Sequence, residues 1–553
     1  MTTSGSVASR ILEALGDAGA RTIFGLPGVH NLAFWRESPG VGLPRLVNVR
    51  HEQTAVYAAD GWARVSGRLG AAIVTTGPGA ANAVAAFGEA AMSRSPVALL
   101  SSEVPLRLTK AGMHRTLHQS KDQARFFDSL AKAVFKPRSP GEVAKDVGKA
   151  IADALTAPQG PVYIDVPADV FGEAGIPVQV VPAVPAWVDE DALADAVALV
   201  NSARTVVIWA GGGVVAADAT DDLAALATQL QAPVFTTFGS RGAIPVDHPC
   251  TINLPPHEPE VEDLLAGADV LVAIGSDFDG MMTKNNTLRL PATIIDINVE
   301  LANTRIGYNT VLPVVGDAKA AIRILLNSTS RRSTGLVDRL PSMREQVWAR
   351  LQADPRTAES CAFVATVQQA ASGVATVVND MAIPGYWLSS YYGADRPRSV
   401  QYPIGWGTLG YALPASIGAA YGGDRPVLAV CGDGGFMYAV GELATIAQEQ
   451  LPVTILLVND GGYGMLRYDQ KRAGDELRGV DLVTPDFALL AESFDISATR
   501  IENSGAELGA ALERALSSNR PHMVVCDVTL FPPRTTSPRW NESPEAALVG
   551  DAE

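Results

Sequence analysis

Residues 427–465 read VLAVCGDGGFMYAVGELATIAQEQLPVTILLVNDGGYGM. Residues 427–431 are a short apolar run of the kind that forms a buried strand. Gly432-Asp433-Gly434-Gly435 follows at its carboxyl end. Residues 439–450 place Leu443, Ile446 and Ala447 on one helical face, and Pro452 ends that helix. Residues 453–458 form a second apolar strand, closed by Asn459-Asp460-Gly461-Gly462. The segment is a strand–helix–strand unit with a carboxylate at the carboxyl end of each strand. Open parallel sheets bind their ligands at that edge.

Asp433 and Asp460 offer the hard oxygen donors that Mg²⁺ or Ca²⁺ requires. The glycines let backbone N–H groups approach phosphate oxygens, and a helix start favours the same anion. Taken alone, Gly-Asp-Gly is a turn that caps a strand. Two such turns, joined by one helix and one strand, suit a diphosphate held through a divalent metal.

The same alternation runs outward along the chain. Helical patterns at 7–18 and 54–65 are interleaved with apolar strand patterns at 21–24, 46–49, 70–75, 96–101 and 161–166. Gly77-Pro78-Gly79 opens a further helix. A second α/β block carries strand patterns at 205–209, 233–237, 270–274, 292–297 and 311–315. Proline-rich 176–185, with Pro177, Pro182 and Pro185, and polar 327–335 read as linkers. The expected organisation is α/β throughout, with three Rossmann-like parallel-sheet domains at 1–175, 186–330 and 355–531 and an extended tail at 532–553.

With 553 residues, 47% hydrophobic and 18% charged, the chain is long enough for several packed cores and is not disordered. A net charge of −16 with no basic cluster argues against a nucleic-acid partner. No apolar run approaches the roughly 20 residues of a membrane span, and no signal pattern opens the chain. Cys250, Cys361, Cys431 and Cys526 are scattered in no metal spacing, as reduced thiols of a cytoplasmic protein would be.

The order of these motifs resembles one superfamily over about residues 7–531: the thiamine diphosphate (ThDP)-dependent decarboxylases and carboligases, which include acetolactate synthase, benzaldehyde lyase, benzoylformate decarboxylase and pyruvate decarboxylase. The resemblance implies a pyrimidine-binding first domain, a central spacer and a diphosphate-binding third domain. It implies ThDP and Mg²⁺ as cofactors, with metal ligands Asp433, Asp460 and the Gly462 carbonyl. Asp460 departs from the commoner second Asn but keeps a hard oxygen. Gly434, Gly435, Tyr463, Gly464 and Met465 complete that side. In RHEQTAVYAADGWAR, Glu52 falls on the activating glutamate, a partly buried acid that donates to the pyrimidine nitrogen N1′. In QYPIGWGTLGYALPASIGAA, Gly407 belongs to the segment under the thiazolium and Leu409 props the bent cofactor, which shortens the pyrimidine-to-C2 distance. DMAIPGYWLSSY places Met381, Ala382, Ile383 and Pro384 beside the cofactor.

On the substrate side the resemblance nominates His30, His114, His118 and Gln119, with Lys132 on a synthase lysine. Neutral histidine suits proton relay near pH 7. In acetolactate synthase, GSDFDGMMT corresponds to a segment with two arginines that help hold FAD; here those positions are Asp277 and Met281, so flavin is not expected. The implied activity is a carbon–carbon lyase or carboligase acting on a 2-keto acid or acyloin. The alternatives are an FAD-free acetolactate synthase, a lyase that cleaves acyloins or diketones, and a silent scaffold that would be expected to have lost Glu52 or Asp433. A homodimer is the implied minimum and a homotetramer the common form.

Overall fold

The computed structural model describes residues 5–38, 40–181, 187–305, 308 and 311–536. The end of the first linker and most of the expected C-terminal tail lie outside the described residues.

Three parallel sheets carry the chain. The first orders its strands Arg45–Asn48, Thr22–Gly25, Gly70–Val74, Val97–Glu103, Val162–Pro167 and Ala133–Phe135. The third orders Val400–Gln401, Thr376–Asn379, Val427–Gly432, Val453–Val458, His522–Cys526 and Ser497–Ile501. Numbered within each sheet, both run 2-1-3-4-6-5, so the two share one topology. The second sheet has five strands, ordered Val311–Val315, Thr293–Asn298, Val270–Ile274, Val206–Ala210 and Val234–Thr236. All the inner strands are buried on both faces, which is why they read as continuous apolar runs. Register is pinned by pairs such as Val427↔Val453 and Gly432↔Val458, which align the two carboxylate-bearing strand ends.

The first and third sheets share one core. Helix Glu52–Ser66 lies against helix Ala412–Gly422, and residues of both sheets join that cluster. Small residues make the crossing close. A Cβ at Gly418 would stand 1.7 Å from the Ala58 carbonyl oxygen, and one at Gly61 would stand 2.2 Å from the Ala415 oxygen. Neither backbone can yield without moving its helix. Gly418→Ala is therefore expected to cost roughly 3 kcal/mol, the upper end of overpacking. A melting temperature equal to that of the unsubstituted protein would contradict this contact.

Two expectations are refined. The helix expected over 439–450 begins as a 3-10 turn, Val440–Glu442, and becomes α-helical only over Leu443–Glu449. The expected tail is not extended at its start: residues 532–536 are buried, with the Trp387 Nε1–H donating to the Phe531 carbonyl at 2.7 Å and Ser390 Oγ to Thr535 Oγ at 3.2 Å.

Candidate active site

In each duplicated sheet the strand order reverses between the first and third strands, where parallel sheets open a ligand crevice. In the third sheet Asp380 and Asp433 flank that point, and Asp460 follows the next strand. Asp433 is 1% exposed. The Gly434 N–H donates to its Oδ1 at 2.8 Å, and its Oδ2 is buried with no partner. Burial raises its pKa, against backbone N–H groups of Gly434, Gly461 and Gly462 that lower it. Asp460 Oδ1 is likewise buried and has no hydrogen-bond partner. Burial first, and the Asp433 charge second, push its carboxyl up to about 6. Arg467 offsets this weakly, with Nη1 3.8 Å from Oδ1. A Cβ at Gly464 would stand 2.1 Å from Asp460 Oδ2, so only glycine leaves that carboxylate its place. Tyr463 packs on Gly434 and shares a 3.2 Å hydroxyl contact with Tyr438.

A buried and a half-buried carboxylate, the first raising the pKa of the second and each with an oxygen lacking a hydrogen-bond donor, form a site that a cation would relieve. Among the described residues no group of three or more His, Cys, Asp or Glu is placed to hold a metal.

Asp380 is a residue that the motifs left unassigned. It is buried, with its carboxyl pushed up to about 6 by that burial. It accepts from the N–H groups of Met381 at 2.8 Å, Gly410 at 3.0 Å and Tyr411 at 3.3 Å. It thus pins the glycine-rich segment bearing Gly407 and the half-buried Leu409 to the strand that leads into Met381, Ala382, Ile383 and Pro384. Met381 touches both sides: its Sδ accepts from Tyr402 Oη at 3.1 Å, and its methyl lies 3.2 Å from where a Gly407 Cβ would sit. The available signal was Asn379-Asp380, a second strand-end Asn-Asp like Asn459-Asp460. Both side-chain amide atoms of Asn379 are buried without partners.

In the first sheet Glu52 is the first residue of helix Glu52–Ser66 and is 7% exposed. Asn82 Nδ2 donates to its Oε2 at 3.0 Å, and Gly79 leaves room beside Oε1. Glu442 of the third-sheet block accepts from the N–H groups of Arg50 at 3.0 Å and His51 at 3.1 Å, fixing the turn before Glu52. Neither Asn82 nor Glu442 carries a motif signal.

The four substrate-side residues are not all together. His30 and His118 meet edge-to-face with centroids 5.5 Å apart, each with a buried, unpartnered Nδ1. Burial, then His118, hold the His30 pKa below its ordinary value. His118 has φ +65, a conformation costly for a bulky side chain, and its carbonyl packs on Gly77. His114 is exposed on the preceding loop. Gln119 accepts from the Thr116 N–H at 3.1 Å and shapes that loop. Lys132 is turned away, its ammonium donating to the Thr156 and Pro158 carbonyls at 2.6 and 2.7 Å.

Three family models match the chain: the N-terminal TPP binding domain of thiamine pyrophosphate enzymes over residues 5–126, their central domain over 193–325 and their C-terminal TPP binding domain over 380–527. The chain is 31% identical to a probable acetolactate synthase large subunit of Methanocaldococcus jannaschii, over 95% of this chain and 92% of that one. It is 32% identical to a probable 2-ketoarginine decarboxylase of Pseudomonas aeruginosa, over 88% of this chain and 87% of the other. An acetolactate synthase large subunit of Corynebacterium glutamicum is 29% identical, over 94% and 86%.

Proposed function

The chain belongs to the thiamine pyrophosphate enzymes, and on that footing we propose that it makes or breaks carbon–carbon bonds on a 2-keto acid, by decarboxylation, carboligation or both. The observation that carries the site reading is the pair of buried, unpartnered oxygens on Asp433 and Asp460. Asp433, Asp460 and the Gly462 carbonyl would hold Mg²⁺ against the diphosphate. Gly434, Gly435, Tyr463 and Gly464 would line its oxygens, and Met381–Pro384, Gly407, Leu409 and Met465 would pack on the rings. Bound ThDP supplies a nucleophilic carbon that adds to a keto carbonyl and an electron sink for the departing carboxylate. Glu52 holds a proton at the pyrimidine nitrogen N1′, and Asn82 orients it. His30 and His118 move protons at the substrate. Support for a 2-keto acid comes from the relative named for 2-ketoarginine.

The test is direct. Purified protein with ThDP and Mg²⁺ is offered a panel of 2-keto acids, with and without aldehyde or keto-acid acceptors, while CO₂ and products are followed. Neither CO₂ nor a ligated product from any of them would overturn the reading.

The proposed working unit is at least a homodimer, with the homotetramer as the commoner assembly. Trp406, Met437 and Tyr438 beside the third-sheet site, and Val29, Met113 and Leu117 at the strand ends of the first, are exposed apolar side chains suited to cover by a second copy. A monomer in sedimentation at micromolar concentration would remove this part. The four cysteines are buried free thiols, which supports a reducing, cytoplasmic setting. Among the described residues no helix is long and apolar enough to cross a membrane.

Flavin is not part of the proposal. Asp277 is engaged with Arg94 at 3.1 Å, and Met281 presents an apolar wall. The purified protein is expected to be colourless and active without added FAD. A stoichiometric flavin absorbance that survives gel filtration, and whose removal abolishes turnover, would contradict this.

A further inference from the structure

A cavity of about 190 Å³ lies between the second and third sheets, bounded on its cofactor side by Met381 and Met465. Phe238, Tyr386 and Tyr402 wall it, Met281 extends the apolar lining, and Ser389, Thr535 and Thr536 add hydroxyl groups. Among the described residues that line it none is Lys, Arg or His, and Asp469 is the one carboxylate. Asp469 sits on helix Gly464–Ala473, four residues after Met465, so both project from the same face. That helix starts against Asp460, which ties the cavity to the metal site.

Asp469 Oδ1 is shut off from water and has no hydrogen-bond partner. Burial raises its pKa, and the attraction that opposes this comes through space from Arg472. Arg467, on the same helix, is committed to Asp481 at 2.8 Å and to the Asp460 carbonyl at 3.3 Å. A carboxylate that lines a mainly apolar cavity with one oxygen lacking a hydrogen-bond partner is costly unless a ligand supplies a counter-charge. Met381, Met465 and the aromatic walls therefore share one cavity with the Asp469 carboxylate, which stands one helical turn from Met465.

We propose that Asp469 is a specificity residue that selects a 2-keto acid whose side chain is a short apolar stem ending in a cation. The inference rests on the 2-keto acid reading above and adds the substrate class. Of the two common cations, a guanidinium fits better than an ammonium. It is less strongly hydrated, stacks on aromatic rings and pairs with carboxylates through a planar fork.

The test compares three substrates on the Mg²⁺–ThDP holoenzyme: 5-guanidino-2-oxopentanoate, its neutral isostere 5-ureido-2-oxopentanoate, and pyruvate. The readout is the guanidino-to-ureido ratio of kcat/KM, which is internal to each preparation and unaffected by a partly misfolded fraction. The unsubstituted protein is expected to favour the guanidino acid by roughly 10–100-fold, as a charge-assisted hydrogen bond supplies. Asp469→Asn should bring the ratio near one, and Asp469→Glu should keep most of it. Asp469→Lys should instead favour 2-oxoglutarate over the ureido acid. A ratio near one in the unsubstituted protein, or a ratio that survives Asp469→Asn, overturns the inference while leaving the 2-keto acid reading intact. Inertness towards all three acids and towards the wider panel overturns both.

Discussion

Glu52→Gln is expected to slow turnover by about 10²–10⁴-fold, the usual contribution of a positioned acid or base, while ThDP still binds. The amide matches the carboxylate in size, and its carbonyl can accept from Asn82 Nδ2 as Oε2 does now. Helix Glu52–Ser66 should therefore keep its place, since its packing runs through Ala58, Gly61 and the facing helix. The variant lacks only the ionisable proton. On the proposed reading cofactor affinity would reside mainly in diphosphate and metal contacts of the third sheet, so calorimetry should give a near-normal ThDP Kd. Hydrogen–deuterium exchange at the thiazolium C2 carbon should be slow. Exchange as fast as in the unsubstituted protein would mean that Glu52 is not the activating acid. Complete loss of ThDP would mean that its role is structural.

Asp433→Ala is expected to weaken ThDP binding in the presence of Mg²⁺ by about 10²-fold or more, because it removes one of the two side-chain oxygens available to a hard cation. The apo protein should not be destabilised. Asp433 Oδ2 has no partner to lose, and relief of the like-charge repulsion that helps hold Asp460 at about 6 offsets the loss of the Gly434 N–H bond to Oδ1. The signature is thus an apo melting temperature equal to or above that of the unsubstituted protein, with the stabilisation normally given by Mg²⁺ and ThDP abolished. Near-normal ThDP affinity in calorimetry would show that the metal is held elsewhere.

These two substitutions probe separate halves of one site. Glu52 depends on the first sheet, Asp433 and Asp460 on the third, and each half keeps its own hydrogen bonds. Glu442 couples them structurally by fixing the backbone of Arg50 and His51. Loss of that carboxylate would disturb Glu52 without touching cofactor or substrate.

What the sequence determined by itself was local. Strands such as Val453–Val458 are buried on both faces, so an unbroken apolar run suffices to announce them. Asp433 and Asp460 were legible because strand end, glycine turn and carboxylate are adjacent in the chain. The alternation of helix and strand was enough for parallel α/β sheets. The repeated 2-1-3-4-6-5 order, however, is a property of pairing that no single segment carries. Helix Gly464–Ala473 gave no periodic signal because none of its residues is buried, and with it Asp469 went unnoticed. Asn82 and Asp380 acquire their roles from partners 30 residues away, Glu442 from partners nearly 400 away. The Pro- and Ser-rich composition after residue 531 suggested an extended tail, yet residues 532–536 are buried, and Thr535 takes a hydrogen bond from Ser390 of helix Ile383–Tyr391. Tertiary structure alone decided which buried polar atoms are left without partners, because satisfaction depends on distance and not on residue type. Those orphaned oxygens on Asp433, Asp460 and Asp469 are what point to the ligands.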